Sequence, residues 1–183
     1  MTAPARRFVL QPHPATPCAA VEGLTAALVP APAGDRHLSF ILRGDVARLR
    51  VPAPASLPMA KDGLWQHTCF EAFVADPHSA RYHEFNLSPS GDWAAYVFAA
   101  ERLRQPDAAP LPAPRIVCTH QARTLRLDAQ LPAAALPAAA GSCLLGLSAV
   151  IEAADGALSY WALAHPAARP DFHQRAGWIG CLD

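Results

Sequence analysis

Residues 65–98 decide the fold: WQHTCFEAFV (65–74), ADPHSAR (75–81) and YHEFNLSPSGDWAAYVF (82–98). In 68–74, Phe70, Ala72 and Val74 alternate with Cys69, Glu71 and Phe73. A period of two predicts a strand. In 81–87, Phe85 and Leu87 point one way, while Tyr82, Glu84 and Asn86 point the other. His83 has the parity of Phe85 and reads as a hydrogen-bonded interior histidine. Ser88-Pro89-Ser90-Gly91 predicts a turn, with proline presetting φ at its second position and glycine suited to its fourth. A hairpin with a four-residue loop follows. Trp93–Phe98 is apolar on both faces, which predicts a central strand covered on both sides. If 68–74 pairs with 81–87 as a hairpin, Glu71, Glu84 and Asn86 share one sheet face.

Upstream, Arg6–Leu10 reads as a strand and Cys18–Val29 as a strand with a bulge at Glu22-Gly23. Pro30–Asp35 reads as a loop and His37–Arg43 as a strand. Val46–Val51 alternates and is expected to be a strand too. Three prolines between Pro52 and Pro58 exclude regular structure there. Downstream, Ala99–Pro114 is expected to be a long surface loop. Arg115–Gln121 and Thr124–Leu131 predict a second hairpin with Leu125, Leu127 and Ala129 inward. Pro132–Gly141 allows one short helical turn. Leu144–Glu152 and Leu158–Leu163 flank the hairpin turn Asp155-Gly156. A loop, His165–Gln174, precedes a last strand in Gly177–Leu182. The expected core includes Phe70, Phe85, Leu127, Leu147 and Ile151. The expected fold class is an all-β, antiparallel β-sandwich of roughly eleven strands.

Of 183 residues, 52 % are hydrophobic and the formal net charge is zero, which fits one globular domain spanning 1–183. Lys61 is the single lysine, and there is no basic stripe for nucleic acid. No run of about 18 apolar residues suggests a membrane span. Prolines at 12, 14 and 17 interrupt the start, where a secretion signal needs an apolar core of about 7–15 residues. The expectation is a cytoplasmic protein. Cysteines 18, 69, 118, 143 and 181 contain no C-x-x-C, so zinc and dithiol chemistry are not indicated. They read as small apolar residues with free thiols.

WQHTCFEAFV, YHEFNLSPSGDWAAY (82–96) and LSYWALAHP with PDFH (158–173) resemble the bacterial DOMON-like proteins, which are grouped with family 9 carbohydrate-binding modules. The resemblance spans about residues 60–182. It implies a β-sandwich that binds sugar or haem. Family 9 modules hold sugar between two exposed tryptophans, and redox relatives hold haem through methionine and histidine. Neither pair maps onto particular positions of this sequence.

Glu71, Glu84 and Asn86 can bind sugar hydroxyls, ligate calcium, or act as a glycosidase pair. They can equally form a solvated face or pair with Arg81 or a histidine. Trp65 and His67 are expected at the edge of that face. Tyr160 and Trp161 point to opposite sides, so Tyr160 is a stacking candidate if Trp161 is core. The loop carrying His165, Asp171 and His173 either closes over the glutamates or bonds its own backbone. His67, His83, His165 and His173 invite a metal or haem reading, though no H-x-x-x-H or H-x-H pair supports it, and Met59 is a candidate axial haem ligand. The leading expectation is a non-catalytic, ligand-binding β-sandwich for a saccharide or a cell-wall-derived small molecule. The alternatives are a haem-binding electron-transfer domain and a small glycan hydrolase using Glu71 and Glu84. No cofactor is assigned, calcium and haem stay open, and no nucleic-acid or membrane partner is expected.

Overall fold

The structure is a computed structural model that describes residues 5–138 and 141–182. Twelve strands appear: β1 (Arg6–Pro12), β2 (Val21–Pro30), β3 (Arg36–Gly44), β4 (Cys69–Ala75), β5 (Tyr82–Leu87), β6 (Trp93–Ala100), β7 (Leu103–Arg104), β8 (Arg115–Gln121), β9 (Thr124–Leu131), β10 (Cys143–Glu152), β11 (Leu158–Ala162) and β12 (Gly180–Leu182). All the strand pairs are antiparallel, in the order β7-β6-β5-β4-β10-β11-β1-β2-β3-β9-β8, with β12 on β10. The sheet folds into two layers at β1. Its first half pairs with β2, and Gln11 and Pro12 pair with Ala162 and Trp161 of β11. β7, β6, β5, β4, β10 and β11 thus form a front layer, and β2, β3, β9 and β8 a back layer.

Strand parity makes the core. Leu24, Ala26, Leu38, Phe40, Leu42, Leu125 and Leu127 point inward from the back layer. Phe70, Ala72, Val74, Phe85, Leu87, Leu147, Ile151 and Trp161 meet them from the front. The Phe40 and Phe70 rings lie 5.0 Å apart across the interface. Each fully buried leucine or phenylalanine stabilises the fold by about 1.5–3 kcal/mol. Phe70, Phe85, Leu127, Leu147 and Ile151 are all buried, as their parity predicts.

The opposite face of the front layer is apolar too. Cys69, Phe73, Ala75, Tyr82, Ala94, Tyr96 and Phe98 pack with Leu64 and Trp178 in a second cluster. This explains the two apolar faces of β6 without a central position. β6 lies next to the layer's edge, flanked only by the two residues of β7. Its outer face is covered by loops, and the central strands are β4 and β10.

Other expectations change locally. Val46–Arg48 is a 3-10 turn followed by a single bridge from Leu49 to Ala153. Only Val46 and Leu49 are buried hydrophobics there, a spacing of three that suits a turn of that pitch. Ala99–Pro114 contains β7, and the last strand shortens to β12 after a 3-10 turn at Arg175–Gly177. The β5–β6 connection runs one residue longer than expected, through Asp92. The bulge in β2 lies between Val21 and Gly23, as expected. In 132–141 a 3-10 turn forms at Ala133–Ala135, and 139–140 lie outside the described residues. No helix among the described residues is long and apolar enough to cross a membrane.

Candidate functional site

The 68–74 and 81–87 strands pair as a hairpin, with Glu71 opposite Asn86 and Phe73 opposite Glu84. Glu71 and Glu84 are therefore diagonal neighbours on the outer face of the front layer. Across the next ladders, Glu84 faces Tyr96 of β6 and Glu71 faces Ser148 of β10. Above this floor lies a cavity of about 330 Å³. Trp65, Phe73, Tyr96, Phe98, Tyr160 and Phe172 supply its aromatic walls, and Arg102, Arg104, Asp171 and His173 its polar rim.

The floor is a buried acid pair. Ser148 Oγ donates to Glu71 Oε2 at 3.1 Å, and Asn86 Nδ2 donates to Glu84 Oε1 at 2.6 Å. Glu84 Oε2 is buried and has no hydrogen-bond partner. Burial, and then the neighbouring Glu84 charge, push the Glu71 carboxyl well above the usual range. Burial raises Glu84 to about 7, against the opposing pull of the Asn86 bond and of Arg104 and Arg102. Burial thus favours the protonated carboxyls, which eases the repulsion between them, while Arg81 is exposed.

His173 is the nearest basic group, with Nε2 3.8 Å from Glu84 Oε2. That is too long for a hydrogen bond. Burial and then the Arg102 charge lower His173 to about 4, so the ring is neutral at physiological pH and the contact is not an ion pair. Its Nδ1 shares a 2.6 Å hydrogen bond with Tyr82 Oη, which also accepts the Arg102 backbone N–H at 3.1 Å. Arg102 adopts φ = 57°, a left-handed conformation uncommon outside glycine. Its surroundings hold it there: the backbone N–H bonds Tyr82, and the guanidinium bonds Asp171 at 2.7 Å. Two residues on, the Arg104 guanidinium stands 3.9 Å over the Tyr96 ring. Asp62 accepts from Tyr96 Oη at 2.6 Å and lies 3.5 Å from Arg104.

The structure brings Trp65, Glu71, Glu84, Tyr160, Asp171 and His173 to one cavity. Asn86 is fully buried beneath it and acts by holding Glu84. His67 and His165 lie elsewhere. His67 bonds Glu152 at 2.8 Å, beside Arg50. His165 bonds the Gln11 carbonyl at 2.8 Å and packs edge-on to His13. Each satisfies a local partner, which sequence spacing alone does not reveal. Tyr160 and Trp161 split between the layers: Trp161 is core, and Tyr160 packs near Phe172 with rings 5.9 Å apart.

Arg102, Arg104, Tyr96, Phe98 and Phe172 were not singled out from the sequence. Tyr96 was within reach, because the register of the β5–β6 hairpin places it opposite Glu84. Nothing in the proline-rich 99–114 segment signals that two of its arginines reach the pocket.

No family model and no curated protein matches this sequence. Solved structures do. A Bacteroides uniformis ATCC 8492 protein, provisionally described as carbohydrate-binding, superposes with a TM-score of 0.65 at 13 % identity, covering 97 % of this chain and 85 % of its own. A family 9 carbohydrate-binding module from Caldicellulosiruptor kristjanssonii, solved in complex with cellotriose, superposes with a TM-score of 0.56 at 9 % identity, covering 97 % of this chain and 81 % of its own. The fold is that of the family 9 modules.

On this fold, the donor set suits neither calcium nor haem. Among the described residues, no three His, Cys, Asp or Glu side chains cluster to hold a metal ion. Calcium takes roughly six to eight oxygens, more than the Glu71 and Glu84 carboxyls supply. Met59 is exposed outside the cavity, where its backbone bonds Trp93 and the Asp92 side chain. It does not converge with His173 on one space.

Proposed function

We propose that this chain is a non-catalytic, DOMON-like binding module that takes a saccharide, or a cell-wall-derived small molecule of similar build, in the front-layer cavity. The supporting observation is the pairing of aromatic walls with a recessed polar floor. Aromatic faces suit the C–H surfaces of a sugar ring, and the floor and rim offer both donors and acceptors to hydroxyls. A volume of about 330 Å³ suits one or two sugar rings more than a long chain held end to end.

Trp65 gives the test. Its side chain is 42 % exposed, and its ring meets Tyr96 edge-on at 6.3 Å. The other three tryptophans are more enclosed. Titration with a panel of mono- and disaccharides is expected to change the tryptophan emission. Trp65→Ala is expected to remove most of that change and to weaken binding by roughly tenfold, the typical worth of a stacked aromatic contact. An unchanged response in Trp65→Ala, with affinity intact, places the ligand elsewhere.

One observation favours a hydrolase as the second reading: Glu84, held near 7, has the acidity of a general acid. The placement of the pair opposes it. Both carboxyls rise side by side from adjacent strands, whereas a glycosidase pair flanks the scissile bond. Incubation with a glycan panel is expected to give no product. Turnover abolished by Glu84→Gln decides for the enzyme.

A further inference from the structure

We propose that the cavity selects a ligand carrying a primary amine, with the ammonium seated on the Glu71–Glu84 floor; an amino sugar is the class that fits. The inference deepens the saccharide reading above and rests on it for the sugar part only.

It begins with the charges around the cavity. The acids are Glu71, Glu84 and Asp171, with Asp62 behind Tyr96. The fixed cations are Arg102 and Arg104. Each arginine already has an aspartate: Arg102 bonds Asp171 at 2.7 Å, and Arg104 lies 3.5 Å from Asp62 with its face on the Tyr96 ring. His173 is neutral, and the Tyr82, Tyr96 and Cys69 protons are all held more tightly than usual. Among the described residues, no fixed cation bonds either glutamate, and each has one neutral donor, Ser148 for Glu71 and Asn86 for Glu84.

The second observation is Glu84 Oε2. It is buried and lacks any hydrogen-bond partner, and Glu84 is among the residues that line the cavity. An unpartnered buried acceptor of this kind destabilises the site, and more so when charged. A ligand hydroxyl supplies a donor but no charge. An ammonium supplies three donors and the missing positive charge together. The surrounding Phe73, Phe98 and Trp65 side chains give the carbon skeleton that carries it an apolar wall. On binding, Glu84 passes from protonated to ionised and its proton leaves to solvent, while Glu71 keeps its own.

The experiment is calorimetric titration at about pH 6, where Glu84 is still protonated, with glucosamine, N-acetylglucosamine, glucose and the non-sugar amine cyclohexylamine. Glucosamine is expected to bind at least about tenfold more tightly than glucose or N-acetylglucosamine, the worth of one charge-assisted hydrogen bond. Comparing buffers of different ionisation enthalpy should show about one proton released per amine bound. Glu84→Gln is expected to abolish that preference and the proton release, with an unchanged circular dichroism spectrum showing that the variant is folded. Equal binding of glucosamine and N-acetylglucosamine overturns the amine inference and leaves the saccharide reading standing. Binding of cyclohexylamine with no sugar bound does the reverse. Failure of all four ligands to bind folded protein overturns both.

Discussion

Glu84→Gln is expected to stabilise the fold by an amount that grows with pH, reaching on the order of 3 kcal/mol by about pH 8. In the folded protein burial raises this carboxyl from 4.5 to about 7. Between those values the native state keeps a proton that the unfolded chain has lost. Stability therefore falls as pH rises through that window, and the penalty persists above it. Glutamine keeps the shape and can still accept from Asn86, but it cannot ionise. His173 works in the opposite sense. Its folded value is lowered to about 4, so its contribution is present above the unfolded value and is lost as pH falls toward 4. Both proteins carry His173, so subtracting their stabilities removes it. Urea denaturation of the two proteins at about pH 5, 6, 7 and 8 measures the difference. A difference that does not change with pH, or a variant less stable at pH 8, contradicts a buried, proton-holding Glu84.

The side-by-side placement of the two glutamates was legible because parity and one hairpin suffice for it. Glu71, Glu84 and Asn86 alternate with Phe70, Ala72, Phe85 and Leu87, and the short 75–81 link forces adjacent pairing. Parity says which residues share a face, but not what covers that face. The apolar outer side of β6 looked like a sign of a central strand, when it reflects a second cluster roofed by Trp178. Roofing is a long-range fact. The 165–178 segment has no periodicity, and its polar residues find partners far away in sequence, such as Asp171 with Arg102 and His173 with Tyr82. For the same reason the histidines separated. His173 reached the cavity, while His67 and His165 bonded Glu152 and Gln11. The Val46–Val51 strand was misread because a 3-10 turn over three residues leaves too short a pattern to distinguish from alternation.

That roof is where a single side chain matters most. Trp178 follows the 3-10 turn at Arg175–Gly177 and lies stacked on Phe73, with centroids 5.4 Å apart and planes at 23°. Its edge meets Tyr82 at 5.1 Å, and its Nε1 donates to the Phe172 carbonyl at 2.8 Å. Gly146 of β10 makes the close approach possible, since a Cβ there would lie 2.4 Å from Trp178 Cδ1. Arg175 reinforces the seat by bonding the Ser79 and Asp76 carbonyls. Pro170, Asp171, Phe172 and His173, the wall of the cavity, hang from this anchor. Trp178→Ala is expected to cost about 3–5 kcal/mol, the range for deleting a buried tryptophan. It should also release the wall, so that proteolysis within 165–177 quickens before the sandwich unfolds and ligand affinity falls in parallel. Trp178→Phe keeps the stacking plane and loses the bond to Phe172, so its cost should stay near 1–2 kcal/mol. Gly146→Ala approaches the same contact from the sheet side: its new methyl must displace the indole, and the wall with it. Urea denaturation, limited proteolysis and ligand titration of the three variants separate these effects. A Trp178→Ala loss below about 1 kcal/mol, with the wall still protected, means the front-layer core holds the cavity's shape without its roof.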